Sequence, residues 1–353
     1  MISIQAELIS WYLINGRELP WRNTKDPYLI WLSEIILQQT RVQQGLPYYL
    51  KFSMTYPTVQ HLARANEEDV LNLWQGLGYY SRALNMLKTA NEITKQLNGQ
   101  FPQSYQGLLK LKGVGEYTAA AIASFSFDEA VAVLDGNVYR VLSRLFDIDL
   151  PIDSGVGKKA FKELAGAFLD RKQPAIFNQA IMEFGALLCT PKKPACFQCA
   201  LSKNCISNAR GTVNLRPVKL KKTKVTQRFF IFSVFLVDEQ TIIQKRVKKD
   251  IWQGMYEFPM EEFDSKSQQS EYLEQNRKNI LFQSEEITHI LSHQRITAYF
   301  IFVKPTKEMG FLSGTGIKVH RNQLYRYPVS VLTDNFLKKT NDLSFLLFDE
   351  NVN

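Results

Sequence analysis

All four cysteines of this 353-residue chain fall in one stretch, CTPKKPACFQCALSKNC, from position 189 to 205. The spacing Cys189-x6-Cys196-x2-Cys199-x5-Cys205 puts four soft thiolates on one short loop. That is a complete ligand set with no open position, which favours a structural role over Lewis-acid catalysis. Softness alone leaves zinc and an iron–sulfur cluster equally open. Lys192, Lys193 and Lys203 stud the loop. Cations there lower thiolate pKa values and could also face phosphate.

Two carboxylates form the second chemical pair. In WLSEIILQQTRV (31–42), Glu34 has Ile30, Trp31, Leu37 and Gln38 as helical neighbours three and four residues away. A carboxyl on that largely apolar face would be desolvated, with its pKa raised, and would serve as a general acid near neutrality; taken alone, the residue reads at least as readily as an exposed Glu beside Ser33. In AVAVLDGNVYRVLSRLF (130–146), Val138, Val141, Leu142 and Leu145 make one helical face, with Asp135, Gly136 and Asn137 just before it. Asp135 or Asn137 is the expected N-cap. Held by backbone donors, Asp135 is expected to stay ionised and to face a developing cation. Carboxylates tuned in opposite directions suit cleavage of an N-glycosidic bond: one protonates the leaving base and the other stabilises an oxocarbenium-like sugar.

A third landmark is LKGVGEYTAAAIASF (111–125). Gly113 and Gly115 sit in a tight turn before an Ala-rich helix, where backbone N–H groups and the helix N-terminus suit an anion, and Lys112 adds a charge. The flanking segments YQGLLKLK and YTAAAIASF make this a helix-hairpin-helix candidate.

These residues need elements to hold them. Residues 1–210 read as almost all helix, with apolar periodicity over 29–42, 70–74, 83–97, 118–125, 138–146, 161–168 and 177–188. Residues 211–228, GTVNLRPVKLKKTKVTQR, read as an extended basic linker or equally as a solvated strand edge. From 229 to 353 the runs FFIFSVFLV, TIIQKRV and ITAYFIFVK mark strands of a smaller α+β domain. A hydrophobic fraction of 45% is enough for two cores. The formal charge of +9 favours a nucleic-acid partner. No apolar run is long enough to span a bilayer, the start carries no secretory pattern, and clustered cysteines do not suit a disulfide framework. A cytoplasmic protein with no membrane partner is expected.

The motifs LPWR, WLSEIILQQTRV, WQGLGYYSRA, LKGVGEYTA, VLDGNVYR and FNQAIMEFGALLCTPKKPAC occur in order with the four cysteines from about position 19 to 205. Together they resemble the endonuclease III superfamily of DNA glycosylases and, within it, the MutY-type adenine DNA glycosylases. The resemblance implies a mostly α catalytic domain of helix-hairpin-helix type and a 4Fe–4S cluster on the four cysteines. It also implies a bacterial, nucleoid-associated monomer acting in base excision repair on duplex DNA with adenine opposite 8-oxoguanine or guanine. Glu34 is then the acid that protonates adenine at N7, aided by Tyr117. Asp135 stabilises the oxocarbenium ion, and Asn137 helps to position groups. Tyr117 stands where lyase members carry a lysine, and a phenol cannot form a Schiff base. Arg17, Trp21, Arg22 and Gln179 match the adenine pocket. Gln39 and Thr40 match contacts to the lesion-bearing strand, and Leu77 with Tyr79 matches a wedge into the base stack.

Residues 229–350 resemble the Nudix-like domain of the same proteins, most clearly in KRVKKDIWQGMYEFP. The segment MEEFDSKSQQSEYLEQN lacks the clustered glutamates of a Nudix hydrolase, so lesion reading is expected there rather than hydrolysis. In THILSHQRIT, Ser292, His293 and His289 are the implied 8-oxoguanine contacts, and Leu291 replaces the usual phenylalanine.

Overall fold

The computed structural model describes residues 3–220, 225–237, 239–303 and 316–340. Residues 221–224 of the basic linker lie outside the described residues. The chain divides into two compact units, one of residues 1–64 and 85–222, the other of residues 65–84 and 223–353. Residues 65–84 thus group with the second unit although their pattern is helical like that of the first.

The helices of the amino-terminal part are α1 (Ile4–Asn15), α2 (Pro27–Leu37), α3 (Val42–Thr55), α4 (Val59–Ala63), α5 (Glu67–Trp74), α6 (Ser81–Gln96), α7 (Tyr105–Leu108), α8 (Glu116–Phe127), α9 (Gly136–Leu145), α10 (Gly155–Phe168), α11 (Pro174–Leu187) and α12 (Ile206–Arg210). Local chemistry sets most starts. Ser3, Asp26, Ser104, Asp135 and Ser154 each accept a backbone N–H at an N-cap. Pro27 and Pro174 occupy first-turn positions, where no N–H is missed. The periodic run 29–42 is not one helix. Gln39 adopts a left-handed φ of 55° and separates α2 from α3.

The first unit's core is built around α8, α9 and α11, with Ala120, Leu142, Phe161, Ala180 and Phe184 almost fully buried. Small residues on α8, Ala119, Ala120, Ala121 and Ala123, bring its backbone close to α2 and α11. α1 packs along α11, with Trp11 edge-on to Phe184 at 4.9 Å.

The carboxy-terminal part forms two sheets from β1 (Thr226–Val234), β2 (Leu236–Val237), β3 (Gln240–Lys245), β4 (Tyr256–Glu257), β5 (Met260–Phe263), β6 (Ile280–Gln283), β7 (Ile287–Ile290), β8 (Gln294–Val303) and β9 (Gly316–His320). One sheet runs β5-β1-β8-β6, with β7 also on β8, and the other runs β2-β3-β4, with β9 on β3. β1 and β8 are parallel, from Thr226 opposite Gln294 to Val234 opposite Phe302. Helices α13 (Lys266–Gln275) and α14 (Val331–Thr340) complete this α+β unit. Phe300 stacks on Phe232 at 4.7 Å and on Phe336 of α14 at 3.9 Å, which fixes that helix to the sheet. No helix among the described residues is long and apolar enough to cross a membrane.

Candidate active site

α2 buries nearly its whole length, and Glu34 is 6% exposed between Ser33 at 0% and Ile35 at 5%. Burial is the main reason that its carboxyl is pushed up to about 7. A hydrogen bond from Tyr117 and the nearby Arg22 pull it down, while the charge of Asp135 pushes it further up. Tyr117 follows directly on the hairpin turn, in the first turn of α8. Burial and the neighbouring carboxylates hold its phenol well above the usual range, so it stays a donor.

Asp135 caps α9. Its Oδ1 accepts from the backbone N–H of Asn137 at 2.9 Å and of Val138 at 2.7 Å, and its Oδ2 accepts from Asn137 Nδ2 at 2.7 Å. These bonds favour the charged form as the sequence suggests, but burial is the larger influence and the net shift is upward. The tuning is therefore not opposite in sign. It differs in partners: Asp135 has three donors and Glu34 has one phenol. Asn137 is held from behind by Arg140, whose Nη2 donates to Asn137 Oδ1 at 2.8 Å. A Cβ on Gly185 would lie 2.8 Å from Asn137 Cβ, so glycine there lets α11 approach the cap.

Glu34, Tyr117, Asp135 and Asn137 line one cleft of about 840 Å³ in the first unit, together with Arg17, Trp21, Arg22, Gln39, Thr40 and Gln179. That volume leaves ample room for a nucleoside-sized guest without selecting one. Trp21 is 8% exposed and edge-on to Tyr49 at 4.9 Å, a rigid wall. The two arginines are already committed. Arg17 Nε and Nη2 donate to Glu183 at 2.6 and 2.7 Å, and Arg22 Nη2 donates to the same carboxylate at 2.7 Å. Burial alone would raise the pKa of Glu183, but the hydrogen bonds of Arg17 and Arg22 overrule it and hold it at about 2. Glu183 was not singled out in the sequence. Its i, i+4 relation to Gln179 on α11 was the available signal.

Other expected residues fall elsewhere. Lys112, Gly113 and Gly115 are exposed on the turn before α8, with Gly113 at a left-handed φ of 77°. In the second unit Leu77 is only 6% exposed, so it packs rather than projects, whereas Tyr79 is 40% exposed at a left-handed φ of 50°. Arg82 braces Tyr79: its guanidinium lies 5.8 Å over the Tyr79 ring and 4.9 Å over Trp74. Ser292 and His293 are exposed between β7 and β8, and the Ser292 hydroxyl hydrogen-bonds that of Tyr79. His289 packs against Trp252 at 5.8 Å, and burial lowers its pKa.

The four cysteines line one small apolar cavity with Val141, Leu145, Phe184, Leu188 and Leu201. Burial, and then the mutual repulsion of the sulfurs, pushes Cys199 up to about 11 and also raises Cys205. Backbone N–H groups of Leu201, Ser207 and Asn208 face these sulfurs and favour thiolate. Arg144, 2% exposed on α9, donates to Cys189 Sγ at 3.3 Å and to the carbonyls of Thr190 at 2.8 Å and Pro191 at 3.1 Å. Among the described residues no three His, Cys, Asp or Glu side chains are placed to hold a single metal ion, but the chemistry of four soft sulfurs, backbone donors aimed at them and one buried cation suits a larger anionic metal–thiolate cluster. Arg140 reaches the same loop through Cys189 O at 2.7 Å.

The model of the HhH-GPD superfamily base excision DNA repair proteins matches residues 32–165, and that of the NUDIX domain matches residues 231–339. An adenine DNA glycosylase of Buchnera aphidicola (subsp. Schizaphis graminum) is 38% identical over 274 residues, covering 77% of this chain and 78% of that protein. An adenine DNA glycosylase of Homo sapiens is 40% identical over 217 residues, covering 59% of this chain and 40% of that protein. Among solved structures, a thermostable thymine-DNA glycosylase superposes with a TM-score of 0.55 at 28% identity, covering 58% of this chain and 95% of that one.

Proposed function

The chain belongs to the adenine DNA glycosylase family, and on that footing we propose that it excises adenine mispaired with 8-oxoguanine or guanine in duplex DNA. It is an enzyme of N-glycosidic bond hydrolysis in base excision repair. The observation that carries the mechanism is the cleft itself: a carboxyl titrating near 7 and a capped carboxylate share one wall-lined space.

The adenine nucleotide is flipped into the cleft. Glu34, whose carboxyl burial pushes up to about 7, gives its proton to N7 while the Tyr117 phenol holds it in place. The C1′–N9 bond breaks, its electron pair leaves with the base, and the sugar becomes oxocarbenium-like. Asp135 faces that cation, held by its cap bonds and by Asn137. Water adds to C1′ and its proton passes to the Glu34 carboxylate, leaving an abasic site. Tyr117 offers no amine, so the strand stays intact.

Gln39 and Thr40 contact the opposite strand, and Tyr79, Ser292 and His293 read the 8-oxoguanine. The Tyr79–Ser292 hydrogen bond supports treating these two as one reading group. Lys112 with the exposed turn at Gly113 and Gly115 takes a phosphate. Cys189, Cys196, Cys199 and Cys205 hold a 4Fe–4S cluster, which when bound ties the loop and supplies no proton or nucleophile. Most of residues 1–210 then form the glycosylase domain; the stretch 211–228 read as a basic linker is shorter than expected, because the lesion-reading domain already begins with β1 at Thr226.

A single-turnover assay of adenine release tests the chemistry, with Glu34→Gln expected to abolish release and keep duplex binding. Ser292→Ala with His293→Ala should narrow the rate ratio between 8-oxoguanine and guanine opposite adenine. An unchanged ratio would move lesion reading elsewhere.

A further inference from the structure

Gln179 lines the cleft, and Tyr12 of α1 stands behind it. The Tyr12 hydroxyl lies 2.6 Å from Gln179 Oε1, the length of an O–H···O bond rather than an N–H···O bond. Two further features hold the tyrosine. The Arg22 guanidinium sits 5.4 Å over its ring. Arg22 is itself held by Glu183 at 2.7 Å and by the Arg17 carbonyl at 2.9 Å. A Cβ on Gly16 would come within 2.8 and 2.9 Å of the Tyr12 ring edge, so glycine at 16 leaves the space the ring occupies. Burial raises the phenol's pKa, which keeps it a donor.

This matters for the polarity of the amide. A free glutamine can turn its carboxamide over and offer either edge. With one lone pair taken by Tyr12, the oxygen keeps a second, and the NH2 stays on the other side. Turning the amide over would leave the half-buried phenol proton without its acceptor. A fixed acceptor–donor pair matches the 6-amino group and adjacent ring nitrogen of adenine. A 6-oxopurine presents the reverse order, acceptor then donor.

We propose that Tyr12 is a positioning residue for base selection: its phenol locks the Gln179 amide in the polarity that accepts adenine and opposes a 6-oxopurine. The proposal rests on the adenine-cleft reading of Gln179 above.

The test uses the full-length, cluster-loaded protein and duplexes carrying deoxyadenosine or deoxyinosine opposite 8-oxoguanine. The quantity is the ratio of single-turnover excision rates for the two bases, in wild type, Tyr12→Phe, Gln179→Ala and the double variant. Loss of one neutral hydrogen bond should lower the ratio in Tyr12→Phe by about two- to tenfold. Gln179→Ala should lower it at least as far, and the double variant should match Gln179→Ala alone. A lowered ratio in Gln179→Ala with a wild-type ratio in Tyr12→Phe would overturn the proposal and spare the adenine-cleft reading. Equal slowing of both bases in Tyr12→Phe would also overturn it, since that is the mark of a structural role. A wild-type ratio in Gln179→Ala would overturn both.

Discussion

Replacing Glu34 by glutamine should make the protein more stable above neutral pH while it loses its activity. The carboxyl rises from an ordinary 4.5 to about 7 on folding. A folded pKa above the unfolded one means the native state holds more protons between those values, so stability falls as pH rises from 4.5 to 7. Above that window the native state carries a buried charge, and the full difference amounts to about 3 kcal/mol. Glutamine keeps the shape and can still accept from Tyr117, but it never ionises. The variant minus wild-type stability should therefore be small near pH 4 and climb towards about 3 kcal/mol at pH 8. The upward shift of Asp135 adds pH dependence to both proteins. Much of that cancels in the difference, as does everything from the second unit. Urea unfolding followed by tryptophan fluorescence across that range measures it. A difference that stays flat with pH, or a variant that grows relatively weaker at pH 8, would refute a buried, proton-holding Glu34.

Tyr117→Phe removes the hydrogen bond that lowers Glu34. The alkaline limb of the pH–rate profile should then move to higher pH by about one unit or more, whatever happens to the maximal rate; an acid-ward shift would contradict the assigned direction. Glu183→Gln strips the carboxylate from Arg17 and Arg22 and should destabilise by about 3 kcal/mol, the low end for a buried pair because Arg17 keeps 36% exposure. The stability that Glu183 provides is present above the ordinary carboxylate range and lost as pH falls through about 2, so the variant should be insensitive to that step in an acid titration. Cys199→Ser should lose the brown colour of a bound cluster and affinity for duplex DNA together; a colourless protein with undiminished affinity would separate the loop from DNA binding.

Glu34 and Asp135 were legible because their surroundings are local. One turn of apolar neighbours buries Glu34, and the cap bonds of Asp135 reach only to Asn137 and Val138. The break at Gln39 was missed, since nothing in LQQTRV marks a left-handed residue as glycine or asparagine would. Arg140 and Arg144 lay in a quoted motif, yet arginine is rarely buried. Only the fold shows that they hold the carbonyls of the cysteine loop. The Arg17–Arg22–Glu183 cluster and the Tyr12–Gln179 bond join residues more than 160 positions apart, beyond any periodic signal. The strands β1, β3 and β8 followed from β-branched and aromatic runs. The short β6, β7 and β9 did not, because their partially exposed faces leave a weak alternation.

The most direct measurement is a single-turnover reaction on an end-labelled duplex with adenine opposite 8-oxoguanine, divided into untreated and alkali-treated halves. Strand breaks in the alkali-treated half alone are expected, from an abasic site made by Glu34 and Asp135 with no amine at position 117. Breaks in the untreated half would contradict the role given to Tyr117. No breaks in either half, from protein with its cluster intact, would contradict the chemistry assigned to the two carboxylates.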